Sequence, residues 1–275
     1  MIFLQLTDTH YVGGADDDSI KKMLGAIKSS SDNIDDMVSR YDFSDVDFVI
    51  VTGDIVHESD NEEDYREFND ILRNTIPPQI PIYYALGNHD RKAAFYKGIL
   101  NKDHDGEYYY KFDVDGYRII VLDSAVPGKE SGTISKEQLN WLHNELKSTS
   151  EKGTIIFEHH PVFWSTEGLT MQLTNNEEVL DMIKNTDVIA IFTGHTHCNG
   201  VNVKEQVIQY TADSAAFSIE IRKDKHLVFD DKAGFLKAEI NSGKMNVHFE
   251  DMQKYNAVYD VPLDVFAEQL SKLDA

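Results

Sequence analysis

The sequence contains little that would cross-link the chain, carry it across a membrane or draw it to a polyanion. Cysteine occurs once, at Cys198, so no intramolecular disulfide can form and nothing points to an oxidising compartment. No apolar run approaches the ~18 residues that a membrane-spanning helix needs. Basic residues are scarce, because 26 Lys and Arg stand against 48 Asp and Glu, and the formal net charge is −22.

This charge balance restricts the partners that the chain can bind. A protein this acidic lacks the basic surface that supplies most non-specific affinity for nucleic acids. We therefore expect neither a nucleic-acid polymer nor an anionic membrane as a partner, whereas a small anionic substrate remains permitted if metal cations hold it. The segment from Met1 to Asp8 has no basic residue and predicts a core strand rather than a signal peptide, so a cytoplasmic location is expected.

What the sequence does have is a series of polar clusters, each directly after a short apolar run that predicts a β-strand. The runs cover residues 2–7, 46–52, 82–86, 154–157 and 188–193. The clusters are Asp8-Thr9-His10, Gly53-Asp54, Gly87-Asn88-His89-Asp90, His159-His160-Pro161 and Gly194-His195-Thr196-His197. Ligands of α/β sheets bind beyond the carboxyl ends of the strands. Five strands would thus bring imidazole and carboxylate groups to one rim, which indicates a metal-centred hydrolase.

Each cluster alone has a simpler explanation. A D-x-H or G-D sequence after a strand is usually turn or capping chemistry, and Asp90 is a suitable cap for a following helix. These explanations do not account for five clusters at five strand ends, so we interpret them jointly as a metal site. The candidate ligands are Asp8, His10, Asp54, Asn88, His159, His195 and His197.

The number of candidate ligands predicts two metal ions. Seven side chains exceed the three or four that hold a single catalytic zinc. They fit two cations roughly 3.5–4 Å apart if one carboxylate is shared, an arrangement typical of phosphate-ester chemistry. Asp54 is the natural bridge, because its short side chain offers two oxygens and Gly53 permits a tight turn before it. Mixed nitrogen and oxygen ligands suit Mn, Fe or Zn better than Mg, and we favour Mn or Fe.

The ordered motifs D-x-H, G-D, G-N-H-D, H-H-P and G-H-T-H resemble those of the calcineurin-like metallophosphoesterases. Within that superfamily the chain is most similar to the bacterial class III cyclic-nucleotide and glycerophosphodiester phosphodiesterases, from Met1 to about Phe217. The resemblance implies that one metal is held by Asp8, His10, Asp54 and His197. It implies that the other is held by Asp54, Asn88, His159 and His195. It also implies that His89 stays off both metals and faces the substrate phosphate.

Together these residues predict a phosphodiesterase with a small substrate, and a 3′,5′-cyclic nucleotide is the leading class. His89 is the expected general acid for the leaving oxygen, a role typically worth 10²–10⁴-fold, and Asp90 is expected to orient its ring. Hydrolysis of glycerophosphodiesters, nucleotide sugars or phosphomonoesters at the same site is the main alternative. A nuclease fits the acidic charge poorly. A non-catalytic scaffold, as in the retromer coat, would have lost ligands that are all present here.

The clusters leave the roles of two nearby histidines open, those of His160 and His57. In the family that the motifs resemble, the ligand lies two residues before the proline, here Pro161. His159 rather than His160 is therefore the expected ligand. His160 is then a supporting residue or a substrate contact. His57 follows Asp54 by three residues, a distance from which it can reach the edge of the pocket, but a solvated loop histidine is the favoured interpretation.

The neighbours of the clusters are expected to be structural. Cys198 directly follows His197, but seven other ligands already suffice, so we expect a small, partly buried residue beside the site. Phe163 and Trp164 are aromatic residues, for which stacking on a nucleobase is one interpretation and packing in the core or at the rim is the favoured one.

Strand and helix signals alternate along the first two thirds of the chain, and strands dominate afterwards. This order predicts an α/β fold, a four-layer α/β/β/α sandwich of two mixed sheets flanked by helices. Helical spacing marks residues 20–41 and 65–72, Asp115-Gly116 divides a hairpin, and Ser135 begins a capping box with Gln138. The strands after Thr193 are expected to supply the second sheet.

The C-terminal segment is the least determined by the pattern. We expect one metallophosphoesterase domain over residues 1–254 and an extension over residues 255–275. The extension carries an apolar stripe at helical spacing: Leu263, Phe266, Leu270 and Leu273. Such a stripe either docks on its own domain or forms a homodimer contact, and the pattern does not distinguish the two.

Overall fold

The computed structural model describes residues 1–13, 30–57, 60–164, 169, 171–241, 243–251 and 257–273. The helices in these ranges are α1 (Ser30–Arg40), α2 (Glu62–Thr75), α3 (Lys92–Gly98), α4 (Lys136–Glu145), α5 (Asn176–Ile183) and α6 (Leu263–Leu273). The first seven strands are β1 (Ile2–Leu6), β2 (Phe48–Thr52), β3 (Ile82–Ala85), β4 (Tyr110–Val114), β5 (Tyr117–Val121), β6 (Thr154–Phe157) and β7 (Val188–Thr193). The later strands are β8 (Gly200–Lys204), β9 (Val207–Thr211), β10 (Ser218–Ile221), β11 (His226–Asp230), β12 (Gly234–Asn241), β13 (Lys244–Asp251) and β14 (Ala257–Pro262).

Two large mixed sheets form the centre of the fold. The first has the strand order β13-β12-β1-β2-β3, and the second has the order β4-β5-β6-β7-β9-β8. A small antiparallel sheet, β10-β11-β14, stands apart from both. The four-layer fold class is therefore confirmed. The prediction that the strands after Thr193 supply the second sheet is wrong, because β12 and β13 extend the first sheet while β8 and β9 extend the second.

Alternation along the strands explains the layers. In β1, Phe3 belongs to the apolar core between the two large sheets, whereas Leu4 faces the helices on the outer side. Side chains of α1, α2 and α3 cover the outer face of the first sheet, and those of α4 and α5 cover the outer face of the second. The central strands of each large sheet are thus buried on both faces, which requires near-continuous apolar strands such as β2 and β5.

Several local predictions agree with the structure. The 65–72 pattern lies in α2, and the hairpin over Asp115-Gly116 pairs β4 with β5. Ser135 caps α4 by accepting a hydrogen bond from the Gln138 amide. The Gln138 side chain does not complete the box, because it binds the backbone of Asp123 instead. The 20–41 pattern is helical over α1, and residues 20–29 lie outside the described residues.

The strands that precede the polar clusters end at one edge of the molecule. The parallel registers pair Leu6 with Val51 and Thr52 with Ala85 in the first sheet, and Phe157 with Phe192 in the second. The carboxyl ends of β1, β2 and β3 are therefore level with one another, as are those of β6 and β7. Two sheets, rather than one, supply the rim.

The C-terminal segment joins the small sheet. β14 pairs with β11, Leu263 is buried, and Phe266 packs on Phe229 with ring centroids 5.4 Å apart. The first half of the apolar stripe is thus docked on the chain's own small sheet, while the side chains of Leu270 and Leu273 lie outside the described set. The boundary at residue 254 stays a prediction. Among the described helices, none combines the length and apolarity that crossing a membrane requires.

Candidate metal centre

Unusual backbone conformations place the candidate ligands at the rim. Five of them have left-handed φ values between 40° and 68°, a region that side chains other than Gly rarely adopt: Asp8, His10, Asp54, His195 and His197. Each such residue costs on the order of 1–3 kcal/mol, which persists only where the surroundings fix the conformation. Here the Asp8 amide donates to the Gly53 carbonyl at 3.0 Å, and the His10 amide donates to the Asp54 carbonyl at 2.9 Å. The strain is concentrated where the ligands converge.

Two glycines make room for neighbouring candidate ligands. Gly53 has a φ of +93°, and a Cβ there would lie 2.6 Å from Nδ1 of His159. A Cβ on Gly87 would collide with Oδ1 and the backbone amide of Asp54. The G-D and G-N-H-D motifs therefore need glycine because their backbones pack directly against neighbouring ligand loops.

Asp8, His10 and His197 form one half of the cluster. Oδ2 of Asp8 accepts hydrogen bonds from the Thr7 hydroxyl at 2.7 Å and from the His195 amide at 2.9 Å. This leaves Oδ1 turned inward, 3.2 Å from Nε2 of His197. Nε2 of His10 lies 3.1 Å from the same His197 atom. Three potential ligand atoms therefore meet within one small volume.

Asn88, His159 and His195 form the other half. Oδ1 of Asn88 lies 3.1 Å from Nε2 of His159, and the His195 ring lies 5.1 Å from the His159 ring between centroids. The amide of Asn88 has a defined orientation, because its Nδ2 donates to Oε2 of Glu130 at 2.8 Å. Its oxygen is therefore the atom that faces the histidines.

Asp54 lies between the two halves. Its Oδ2 is 3.3 Å from Nε2 of His159 and 3.8 Å from Nε2 of His10. Its Oδ1 accepts a hydrogen bond from the His89 amide at 2.9 Å. One carboxylate oxygen, rather than both, is thus available to the two groups of ligands.

Hydrogen bonds to backbone carbonyls set the tautomers of two candidate ligands. Nδ1 of His197 lies 2.8 Å from the carbonyl of Phe217, and Nδ1 of His159 lies 2.8 Å from the carbonyl of Thr52. A carbonyl only accepts, so each Nδ1 carries a hydrogen and each neutral ring turns an unprotonated Nε2 toward the cluster. Metal-binding histidines are typically held in this way.

The electrostatics of the cluster favour positive charge on two of its four candidate imidazole ligands. Burial opposes it, but Asp54 and Asp8 raise the pKa of His159 to about 10, and Asp8 likewise raises the pKa of His197. Burial also opposes ionisation of Asp54, yet His159 holds the pKa of that carboxyl well below its usual value. Burial lowers the pKa of the other two candidate ligand histidines, His10 and His195, well below the usual value. A divalent cation can supply the favoured positive charge in place of protons.

One buried atom shows that the cluster fits a cation. Oδ1 of Asp8 is fully buried and accepts no hydrogen bond from any residue that the structure describes. A buried carboxylate oxygen without a donor is costly, and a cation would satisfy it. The surrounding set of imidazole nitrogens and carboxylate and amide oxygens suits transition-metal ions.

His89 lies beside this cluster, half-buried, with its ring 4.8 Å from that of His10 between centroids. The prediction that Asp90 orients the His89 ring is wrong. Oδ1 of Asp90 accepts from the Ile55 amide and the Tyr65 hydroxyl, and Oδ2 accepts from the Gly87 amide. Asp90 therefore connects the G-N-H-D turn to the loop after β2 by hydrogen bonds.

His160 lies beside the candidate ligand His195. Its Nε2 donates to the Glu130 carbonyl at 3.0 Å, so its Nδ1 accepts from the Ser124 hydroxyl at 2.8 Å. Both ring nitrogens have protein partners, while the ring packs 4.3 Å from that of His195. Glu130 thus contacts both Asn88 and His160. Sequence reasoning missed Glu130, and no motif marks it.

The structural role expected of the remaining neighbours stays a prediction, and their surroundings are as follows. Cys198 belongs to none of the metal-ligating groups among the described residues, and burial raises the pKa of its thiol to about 11. Phe163 is buried in the core beneath α4 and α5. Trp164 borders a small apolar cavity together with Met171 and Phe266.

Comparison with known proteins identifies the family. The model of the calcineurin-like phosphoesterase family matches residues 1–199. The chain belongs to the calcineurin-like phosphoesterase family, which confirms the resemblance seen in its motifs. In structure the chain is similar to a dimetal phosphatase from Danio rerio, with a TM-score of 0.66 and 16% identity over 94% of this chain and 98% of the other. That likeness concerns the fold.

Two curated bacterial proteins are similar in sequence. One, from Mycobacterium tuberculosis, is described as a cAMP/cGMP dual specificity phosphodiesterase and is 30% identical over 71% of this chain and 61% of its own length. Another, from Arcobacter nitrofigilis, is described as a probable glycerophosphodiester phosphodiesterase and is 31% identical over 66% of this chain and 69% of its own length. The chain spans only 51% of a further relative, a probable cyclic nucleotide phosphodiesterase from Rhodococcus erythropolis.

Proposed function

We propose that this protein is a dimetal phosphodiesterase that hydrolyses a small phosphodiester. The observation that carries the proposal is the position of Asp54 Oδ2, 3.3 Å from Nε2 of His159 and 3.8 Å from Nε2 of His10. A single carboxylate oxygen shared by two sets of ligands is what a pair of closely spaced cations needs.

In this proposal the first cation would be held by Asp8, His10, Asp54 and His197, and the second by Asp54, Asn88, His159 and His195. Mn or Fe is favoured, with Zn as the alternative, because imidazole ligands prefer transition metals to Mg. Two bound cations would lower the pKa of water toward ~7 and would neutralise phosphate oxygens, so neither a side-chain nucleophile nor a strong base would be required.

His89 then supplies the proton that the leaving oxygen needs. Its backbone is held on both sides, because its amide donates to Oδ1 of Asp54 and its carbonyl accepts from Arg91 at 3.2 Å. The imidazole of His89 is half-buried at the edge of the cluster rather than enclosed in it. A ring in that position can reach a substrate without serving as a ligand.

A 3′,5′-cyclic nucleotide is the substrate class that we favour. Such a diester carries one negative charge, so a chain with a net charge of −22 repels it less than a polyanion. The similarity to a cAMP/cGMP phosphodiesterase supports this choice. The similarity to a probable glycerophosphodiester phosphodiesterase supports glycerophosphodiesters as the second candidate.

One purified sample tests the proposal. Metal content is measured first, and two transition-metal ions per chain are expected. Turnover of bis-p-nitrophenyl phosphate is then compared with that of the monoester, followed by cAMP, cGMP and glycerophosphodiesters. Asp8→Ala is the matched inactive control, because it removes the inward-facing oxygen. Preference for the monoester, or full activity after complete metal removal, would reject the proposal.

A further inference from the structure

His57 is not the solvated loop residue that the sequence predicts. It is half-buried, and its Nδ1 lies 3.4 Å from Nδ1 of His10. Its ring also stacks on that of His89, with centroids 5.0 Å apart and an interplanar angle of 26°. His57 therefore contacts one candidate metal ligand and the candidate general acid at the same time.

The contact with His10 has a defined direction once His10 binds a cation. Nε2 of His10 faces the cluster, 3.1 Å from Nε2 of His197. A ligating Nε2 must be unprotonated, so the hydrogen of the neutral His10 ring lies on Nδ1. Nδ1 of His57 must then accept that hydrogen bond, which places the hydrogen of His57 on its Nε2.

We propose that His57 is a positioning residue with two separable effects. Its Nδ1 keeps the hydrogen of His10 on Nδ1, which leaves Nε2 of His10 free to bind a metal. Its ring stacks on that of His89 and keeps the His89 imidazole oriented toward the substrate. This inference rests on the dimetal function proposed above. The first effect concerns affinity for the metal that His10 holds, and the second concerns turnover by the fully loaded enzyme.

Two substitutions separate the effects. His57→Asn keeps an acceptor at the δ position but removes the ring, whereas His57→Phe keeps a stacking ring but removes the acceptor. His57→Ala removes both. His248→Ala is the control, because it deletes an exposed histidine on β13 that lies outside the cluster. Thermal unfolding of each metal-free variant shows whether the fold is retained.

Metal affinity is measured by titration of metal-free protein with Mn²⁺. We expect His57→Phe and His57→Ala to weaken one of the two sites by roughly 10–100-fold, a typical effect of losing a hydrogen bond to a ligand. His57→Asn should stay close to wild type. Equal affinity in wild type and His57→Phe would overturn the first effect.

Turnover is measured at saturating Mn²⁺ on a diester with a poor leaving group. We expect His57→Asn to lower kcat about 3- to 10-fold with little change in KM, while His57→Phe stays close to wild type. An unchanged kcat in His57→Asn would overturn the second effect. Wild-type protein that binds no metal and cleaves no diester would instead reject the proposed function itself.

The tautomers are also directly observable. In protein loaded with diamagnetic Zn²⁺, ¹⁵N–¹H correlation spectra report which ring nitrogen carries the hydrogen. We expect Nδ1 of His10 and Nε2 of His57 to be protonated. A hydrogen on Nδ1 of His57 would contradict the proposed direction of the hydrogen bond, whatever the activity of the variants.

Discussion

Nε2 of His159 lies 3.3 Å from Oδ2 of Asp54, although the strands that precede them belong to different sheets. The geometry of the candidate centre therefore depends on how β2 and β6 pack across the core. Phe3 joins the two sheets there, with its ring 5.1 Å from that of Phe48 and 5.2 Å from that of Phe157 between centroids. Apolar packing between the sheets thus determines the separation of ligands at the rim.

Substituting the shared carboxylate tests the bridge. Asp54→Asn should reduce activity by orders of magnitude and lower the metal content below two ions per chain. A neutral amide cannot supply the anionic oxygen that lies between His10 and His159. Metal analysis and turnover of bis-p-nitrophenyl phosphate measure the two effects. Near-normal turnover with both metals retained would show that Asp54 is not the bridge.

Removal of the candidate acid should leave the metals in place. We expect His89→Ala to bind two ions yet lose roughly 10²–10⁴-fold in kcat on diesters with poor leaving groups. The loss should be smaller on p-nitrophenyl esters, because their leaving group needs little protonation. Parallel assays on the two substrate types check this. An equal loss on both, or a missing metal, would exclude the acid role.

Glu130 provides a test of the second metal site. Glu130→Ala removes the acceptor that orients the Asn88 amide, so we expect affinity for one metal to fall roughly 10–100-fold. Glu130→Gln retains an acceptor oxygen and should recover most of that loss. Titration with Mn²⁺ distinguishes the variants. Equal affinity for Mn²⁺ in Glu130→Ala and in the wild type would mean that other contacts hold the Asn88 amide.

Glu130 also shows where prediction from the sequence ends. The five strand-end clusters are visible because each motif follows its own apolar strand, so local patterns suffice to propose all seven ligands. Glu130 lies 42 residues from Asn88 and reaches it only because of the path of a loop. Hydrogen bonds to the carbonyls of Thr52 and Phe217 involve the backbone, and a backbone group leaves no mark in the sequence.

It was harder to predict which strands form which sheet, for a related reason. The apolar alternation of β12 marks a strand, but pairing with β1 joins residues such as Phe3 and Ala238 that are far apart in the chain. Periodicity predicts that a strand exists and which face is buried, whereas its partner depends on tertiary packing. Two predictions were wrong: that the strands after Thr193 form the second sheet, and that Asp90 orients the His89 ring. Both depended on partners that are distant in the chain or set by tertiary packing.

A reconstitution experiment can determine which metal ion supports activity. Protein stripped by a chelator should be inactive, and Mn²⁺ should restore activity better than Mg²⁺. Four of the seven candidate ligands are histidines, and imidazole binds transition ions more strongly than Mg²⁺. Activity after dialysis against each ion, with metal analysis of the same samples, gives the ranking. Full activity with Mg²⁺ alone would contradict the proposed ligand set.

Net charge should select substrates by size. At −22 the protein repels polyanions, whereas a small diester with one negative charge can still reach the cluster. We expect cyclic or short diesters to be cleaved much faster than single- or double-stranded DNA at low ionic strength. Added salt should narrow the gap, because the Debye length falls to about 10 Å at 0.1 M and to roughly 3 Å at 1 M. Rates on both substrates across a salt series test this. Efficient DNA cleavage at low salt would refute the small-diester assignment and favour a nuclease.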